Sequence, residues 1–146
     1  MARYEVDCIP GDRSLADAFA VRRTVFIEEQ GVPESIEMDG KDEAATHFLI
    51  TDATKDRPVG TARLRVLESA VAKPERVAIV PDYRGKQLGR RLMGLVESVA
   101  RIKGCSRAVL HAQTRVANFY ESLGYERVSE EFEEAGISHI EMEKSL

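Results

Sequence analysis

Residues 76–110 change hydrophobic period twice in quick succession, and few folds accommodate that order. Arg76 to Val80 is a short apolar run that Pro81 stops. After Arg84-Gly85-Lys86-Gln87-Leu88-Gly89, the residues Leu88, Leu92, Leu95, Val96, Val99 and Ile102 recur at helical spacing, with Arg90, Arg91, Glu97, Arg101 and Lys103 largely outside that stripe. Gly104 is a natural C-terminal cap, and Ala108-Val109-Leu110 reads as a buried strand. A basic, glycine-containing turn that opens a helix offers unpaired backbone N–H groups and the positive end of the helix dipole. That arrangement binds phosphate or pyrophosphate. Gly85 and Gly89 permit close backbone approach, while Arg84, Lys86 and Arg90 add charge. Neither GxxxxGK[ST] nor GxGxxG is present. Alone, the turn is equally the start of a solvated helix.

The remaining elements frame this unit. Residues 4–9 alternate apolar and polar and predict a strand, ended by Pro10 and Gly11. Ser14 is the expected N-cap of a helix with Asp17 at its third position, carrying Leu15, Ala18, Phe19, Val25 and Phe26 on one stripe. Arg22 lies on the same stripe, so it must be paired or border a polar pocket. Residues 31–46 predict a loop or a short irregular helix. Strands at 47–51, 59–67 and 76–80 predict an antiparallel meander. Thr114 is the expected cap of a short helix with Val116, Phe119, Tyr120 and Leu123, ended by Gly124, and two strands follow near 125–132 and 137–143. The mixture favours an α/β sheet with helices on both faces over a Rossmann alternation.

The 146 residues suit one domain over 1–146, and 43% hydrophobic with 32% charged residues is a globular profile. A net charge of -4 supplies no basic field, so neither nucleic acid nor membrane is an expected partner. No apolar stretch approaches the ~20 residues that span a bilayer, and the first residues lack an apolar leader core. Cys8 and Cys105 show no CxxC spacing, which predicts free thiols in the cytoplasm. No His/Cys/Asp cluster has ligand spacing, so no metal is expected.

The run from Val77 to Leu92 resembles the acyl-CoA signature of the GNAT (Gcn5-related) N-acetyltransferase superfamily, a strand leading into an (Arg/Gln)-x-x-Gly-x-(Gly/Ala) turn. Gln87 replaces the first motif glycine, which suits a negative φ with the N–H still aimed at the ligand; Gly89 keeps the second. Downstream, Asn118-Phe119-Tyr120-Glu121-Ser122-Leu123-Gly124-Tyr125 resembles the family's Asn-x-(Phe/Tyr)-Tyr-x-x-x-Gly-(Phe/Tyr) helix. The resemblance spans the chain and is strongest from 59 to 126. The segment Val21–Pro33, with Glu37, Asp39, Asp42 and His47, looks like the ElaA/YjcF-like subgroup. It also resembles the front half of acyl-homoserine lactone synthases, against which stand the short chain, the absence of tryptophan and the intact turn.

The resemblance implies a GNAT fold: a central mixed, mostly antiparallel twisted sheet of about seven strands, with helices on both faces and splayed central strands. It implies acetyl-CoA as cosubstrate and transfer to a primary amine of a small molecule or peptide, by direct attack in a ternary complex. An acyl-homoserine-lactone-synthase-like acyltransferase and a non-catalytic CoA-binding module are the alternatives. Carried over, the backbones of Val77 and Ile79 bond the pantetheine amides, and the Ile79 N–H stabilises the oxyanion. Gly85, Lys86, Gln87, Leu88, Gly89 and Arg90 cradle the pyrophosphate, with Arg84 at the start of the turn and Asn118 on the CoA arm. Tyr120 matches the general acid; a core tyrosine bonded to a backbone carbonyl is its other reading. Many members dimerise, and the terminal strands here can pair across a two-fold axis.

The acceptor end is less constrained. Glu28 and Glu29 close the first helix near the expected substrate mouth, with Glu29 the expected base, directly or through water; a solvated helix end is the alternative. His47 and His111 are further candidates, and His139 has no support. Direct attack needs no covalent route through Cys8 or Cys105. Arg22, Glu28 and Asp39 are the expected acceptor residues; Arg22 can pair with Asp39 or Asp42 to build a polar wall or simply to pin the loop. Glu130, Glu131, Glu133 and Glu134, with Glu34, Glu37 and Asp39, either attract a cationic amine or form a solvated face.

Overall fold

The computed structural model describes residues 2–146. The strands β1 (Tyr4–Pro10), β2 (Thr46–Asp52), β3 (Arg57–Leu67) and β4 (Val71–Ile79) form the expected antiparallel meander. β5 (Arg107–Gln113) runs parallel to β4, and β8 (Ile137–Ser145) lies antiparallel to β5. The short β6 (Glu126–Arg127) and β7 (Phe132–Glu134) both pair with β8. The result is one mixed sheet in the order β1-β2-β3-β4-β5-β8-β6, with β7 beside β8. β8 is thus paired with β5 along one edge and with β6 and β7 along parts of the other, while β1 and β6 stand at the two ends of the sheet.

Residues 59–64 of β3 are buried without interruption, which requires cover on both faces of the sheet. Two long helical elements supply it: α1 (Ala16–Arg22), continued as π-helix through Glu29, and α3 (Leu88–Ile102). Between them lies the apolar core of Val21, Val25, Phe48, Ile50, Leu64, Leu92, Met93 and Val96. A short α2 (Glu34–Glu37) interrupts the loop before β2, and α4 (Ala117–Ser122) follows β5.

Three local expectations are corrected. Leu15 occupies the N-cap of α1 without a side-chain bond, so Ser14 does not cap it. Thr114 opens a 3-10 turn instead of capping α4, and its hydroxyl lies 2.9 Å from that of Ser138. Ile102 is 84% exposed, because the buried row Leu88, Leu92, Val96, Ala100 continues at i+4 and Ile102 stands roughly 200° beyond Ala100.

The sheet comes apart at its centre. β4 and β5 pair only at Val71–Arg107 and Ala72–Ala108 and then diverge. On the other side of β4, the register with β3 slips: Thr61 pairs with Ala78 but Arg63 with Glu75, leaving Arg76 and Val77 bulged. Arg76 sits in the left-handed region at φ 55°, a conformation that costs a non-glycine residue about 1–2 kcal/mol.

Candidate active site

The parting of β4 and β5 opens a cavity of about 630 Å³. Val77 and Ile79 line one side, Leu110 and Ala112 the other, and beyond its two pairs with β5 the facing edge of β4 is free of strand partners. At one end lies the turn, where Gly85 has φ 77° and Gln87 φ 64° before α3 begins. The expected negative φ at Gln87 is thus corrected. The turn needs left-handed residues at both 85 and 87, and the glutamine accepts the strain that the motif's glycine avoids. Gly89 fits closely under α4, since a Cβ there would lie 3.2 Å from the Phe119 ring. Leu88 is buried, Arg90 lines the cavity and bonds the Ser122 hydroxyl at 3.0 Å, and Lys86 is exposed outside the lining.

Arg84 lines the cavity, but its charge is committed. Its Nε donates to the Ile79 carbonyl at 2.9 Å, and its Nη atoms donate to Glu29 at 2.7 and 2.8 Å. The hydrogen bonds from Arg84 hold the Glu29 carboxyl below its ordinary value. The expected base Glu29 is thus bonded to Arg84, and the pair ties the turn to the end of the first helix. Glu28 is exposed, and neither glutamate lines the cavity.

Tyr120 reaches the cavity from α4, wedged edge-on between Phe119, at 5.0 Å between ring centroids, and Tyr125, at 5.9 Å. Tyr125 is fixed in turn by donating to buried Glu97 at 3.0 Å, which also accepts from Lys144 at 2.7 Å. Burial pushes the Tyr120 phenol up, and no hydrogen bond to the described residues ties its hydroxyl. The core-tyrosine alternative, with the hydroxyl on a backbone carbonyl, is therefore not what the fold builds. Asn118 is exposed outside the cavity, and its Oδ1 accepts from Arg127 at 3.3 Å.

The acceptor-end residues form an ion network. Arg22 is fully buried and donates to Glu37 and Asp42, at 2.6 Å each. It pins the loop before β2 and does not line the central cavity. Asp39 does line it and accepts twice from Arg63 at 2.8 Å, which holds its carboxyl well below the usual range. His47 is buried with Nε2 2.9 Å from the Asp42 carbonyl, and burial pushes its pKa down. It stands outside the cavity, as do Cys8 and Cys105. His111 lines the cavity, its Nδ1 3.0 Å from Glu134 and its Nε2 3.3 Å from Glu141.

His139, for which the sequence offers no support, also lines the cavity, as do Arg76, Lys73 and Glu75, which no motif marks as site residues. The pairing of Phe132 with His139 brings the β7–β8 hairpin to the site, and only that register could have signalled it. No group of three or more His, Cys, Asp or Glu among the described residues is placed to hold a metal ion. No helix among them is long and apolar enough to cross a membrane.

Comparison with known proteins agrees with this architecture. Residues 14–146 match the family model of the acetyltransferase (GNAT) domain. The uncharacterized N-acetyltransferase YjcF of Bacillus subtilis is 37% identical over 134 residues, covering 91% of this chain and 94% of YjcF. ElaA of Escherichia coli is 32% identical over 131 residues, 86% of this chain and 84% of ElaA. The ElaA crystal structure superposes with a TM-score of 0.84, covering 97% of this chain and 99% of that one. An acyl-CoA N-acyltransferase of Pseudomonas aeruginosa, 25% identical, superposes at 0.86 over 97% and 99% of the two chains.

Proposed function

This chain belongs to the GNAT acetyltransferase family, in the ElaA/YjcF-like subgroup, and from that premise we propose that it moves an acetyl group from acetyl-CoA to a primary amine by direct attack in a ternary complex. One observation carries the reading: a strand edge without a partner leads from a phosphate-type turn to a buried tyrosine whose hydroxyl is uncommitted.

The free edge of β4 at Val77 and Ile79 can pair with the pantetheine amides as an added strand does. The backbone of Gly85 to Arg90, at the start of α3, receives the pyrophosphate, with the Arg90 guanidinium beside it and Lys86 at the rim. Arg84 shapes this turn through the Ile79 carbonyl and Glu29 instead of binding phosphate by charge.

The acceptor enters from the end lined by His111, Glu134 and Asp39. An ammonium first loses one proton, which His111 passes to water along Glu134 or Glu141. The amine lone pair then attacks the thioester carbonyl, and the Ile79 N–H meets the developing oxyanion, a contact worth about 2.7–4 kcal/mol. As the C–N bond forms and the C–S bond breaks, Tyr120 gives its proton to the thiolate. The proton shed by the new amide nitrogen restores the phenol. A phenol whose pKa is raised by burial stays protonated until the leaving group needs it.

The test is free-thiol release from acetyl-CoA against a panel of primary amines. Tyr120→Phe is expected to lower kcat by about 10²–10⁴ while acetyl-CoA affinity is retained. Full activity in that variant removes Tyr120 from the mechanism. Tight acetyl-CoA binding without turnover of any amine favours a CoA-binding module instead.

A further inference from the structure

The acceptor end of the cavity carries a charge order that acetyl transfer by itself does not require. Its β4 wall presents Lys73, Glu75 and Arg76, and the loop before β2 adds Glu37, Asp39 and Lys41. Every carboxylate here already has at least two cations. Glu37 is held by Arg22 at 2.6 Å and Arg76 at 2.7 Å, and Asp39 by Arg63 at 2.8 Å and Arg76 at 3.3 Å. Behind them Asp42 is held by Arg22 at 2.6 Å and Arg63 at 3.1 Å. Glu75 has Arg63 at 2.8 Å, Arg65 at 3.3 Å and Lys73 at 3.4 Å. Five cations thus face four carboxylates, and Lys41, exposed and without an acidic partner among the described residues, adds to the excess. No carboxylate on this wall is left to receive a cationic ligand.

Arg76 is the member of this network best placed to take an anion. It is the bulged residue of β4, held in the left-handed region at φ 55°. Such strain in a non-glycine residue persists only where the surroundings impose it, and it clusters at ligand sites. Its Nη2 donates to the Glu37 carbonyl at 3.1 Å and to Asp39 at 3.3 Å. Its Nε lies 2.7 Å from Glu37 Oε2 but out of line, which leaves that buried N–H without an acceptor. Nη1 has no bond among the described residues. The Nη1 donors of this strained, cavity-lining arginine are therefore uncommitted, while its buried Nε stays against Glu37. Across the parting of the sheet, the β5–β8 side offers the contrasting surface of His111, Glu134 and His139.

From this polarity we propose that the acceptor is a carboxylate-bearing primary amine of the amino-acid class. Arg76, with Lys73 and Lys41, receives the carboxylate, and the amine turns toward His111 and Glu134. The inference rests on the acetyltransferase reading above and adds the substrate class to it. A polyamine lacks the anion that the β4 wall is built to receive, and it brings further positive charge to a wall already in excess.

The test uses matched pairs in the free-thiol assay: phenylalanine against phenethylamine, lysine against cadaverine, and leucine against isoamylamine, with spermidine as the polycation. The carboxylate-bearing member is expected to show a kcat/KM at least about tenfold higher, the scale of one charge-assisted hydrogen bond. That ratio is expected to fall toward one in Arg76→Met and to be partly restored in Arg76→Lys. Calorimetry with acetyl-CoA on each variant reports whether the fold and the cosubstrate site survive; if Arg76→Met does not fold, the wild-type ratios decide alone. Preference for the decarboxylated partners or spermidine overturns the inference and leaves the transferase standing. So does an unchanged ratio in a folded Arg76→Met; acetyl-CoA binding with no panel member acetylated also overturns the inference, and favours the CoA-binding module over the transferase. Failure of the wild type to bind acetyl-CoA removes both.

Discussion

Replacing Arg63 by methionine strikes the point where the core and the acceptor end meet. The guanidinium is fully buried and makes five hydrogen bonds to carboxylates: two to Asp39 at 2.8 Å, one to Asp42 at 3.1 Å, and two to Glu75 at 2.8 and 3.2 Å. At about 1.5–3 kcal/mol for a hydrogen bond to a charged group, simple addition overshoots, because none of the three carboxylates is abandoned. Arg76 stays with Asp39, Arg22 with Asp42, and Arg65 and Lys73 with Glu75. The expected loss is that of one broken buried pair, about 3–5 kcal/mol. With an unfolding entropy of about 2.1 cal/mol/K per residue over 146 residues, this lowers Tm by roughly 10–16 °C. The Arg63 hydrogen bonds hold the Asp39 carboxyl far below its ordinary value; burial pushes Asp42 and Glu75 up, but their arginines win and hold both low. Carboxyls depressed in the folded state stabilise above their unfolded pKa of about 4 and lose that contribution as pH falls. Wild-type stability should therefore decline from about pH 5 downward, and the decline should be shallower in Arg63→Met. Urea unfolding followed by circular dichroism between pH 7 and pH 3 measures both. A loss under about 1 kcal/mol, the range of exposed ion pairs, or an acid limb unchanged in the variant, refutes the reasoning.

Other perturbations follow from single contacts. A Cβ at Gly11 would lie 2.3 Å, 2.4 Å and 2.5 Å from the carbonyl oxygens of Asp42, Glu43 and Ala45; Gly11→Ala should cost at least about 1–3 kcal/mol by overpacking, visible as a lower urea midpoint. Gln87→Gly relieves a left-handed φ of 64° and should leave stability unchanged or raise it by up to about 1 kcal/mol, whereas a marked loss in Tm would mean that the glutamine side chain is needed. Ile102→Lys, at a position 84% exposed, should stay within about 0.5 kcal/mol of wild type in the same urea assay; a larger loss would mean that the end of α3 is packed.

What the chain revealed in advance was whatever depends on neighbours in sequence. The helical stripe from Leu88, the meander, the capping role of Gly104, which has φ 87°, and the opening between β4 and β5 follow from period, turn residues and family motif. The need for Arg22 to find an acid was legible because a buried charge must be paired; that Glu37 joins Asp42 was not. The ion pair of Arg84 with Glu29 joins positions 55 residues apart, beyond the reach of any local pattern. Glu97 reads as a solvent-facing helix residue, yet it is buried because Tyr125 and Lys144 arrive from the last strands to satisfy it. The left-handed φ of Arg76 and Gln87 has no mark in the residue types, since both are ordinary in helices and strands.

The most direct test of the central claim is a calorimetric titration of acetyl-CoA into the wild-type protein and into Arg90→Glu. Arg90 is exposed at the turn and lines the cavity, so its reversal leaves the core untouched. One equivalent of acetyl-CoA should bind the wild type with micromolar affinity or better. The variant should bind at least about tenfold more weakly, the scale of one charge-assisted contact to phosphate. Folded wild-type protein that takes up no acetyl-CoA, or equal affinity in both proteins, would contradict the assignment of the turn and cavity to the acetyl donor.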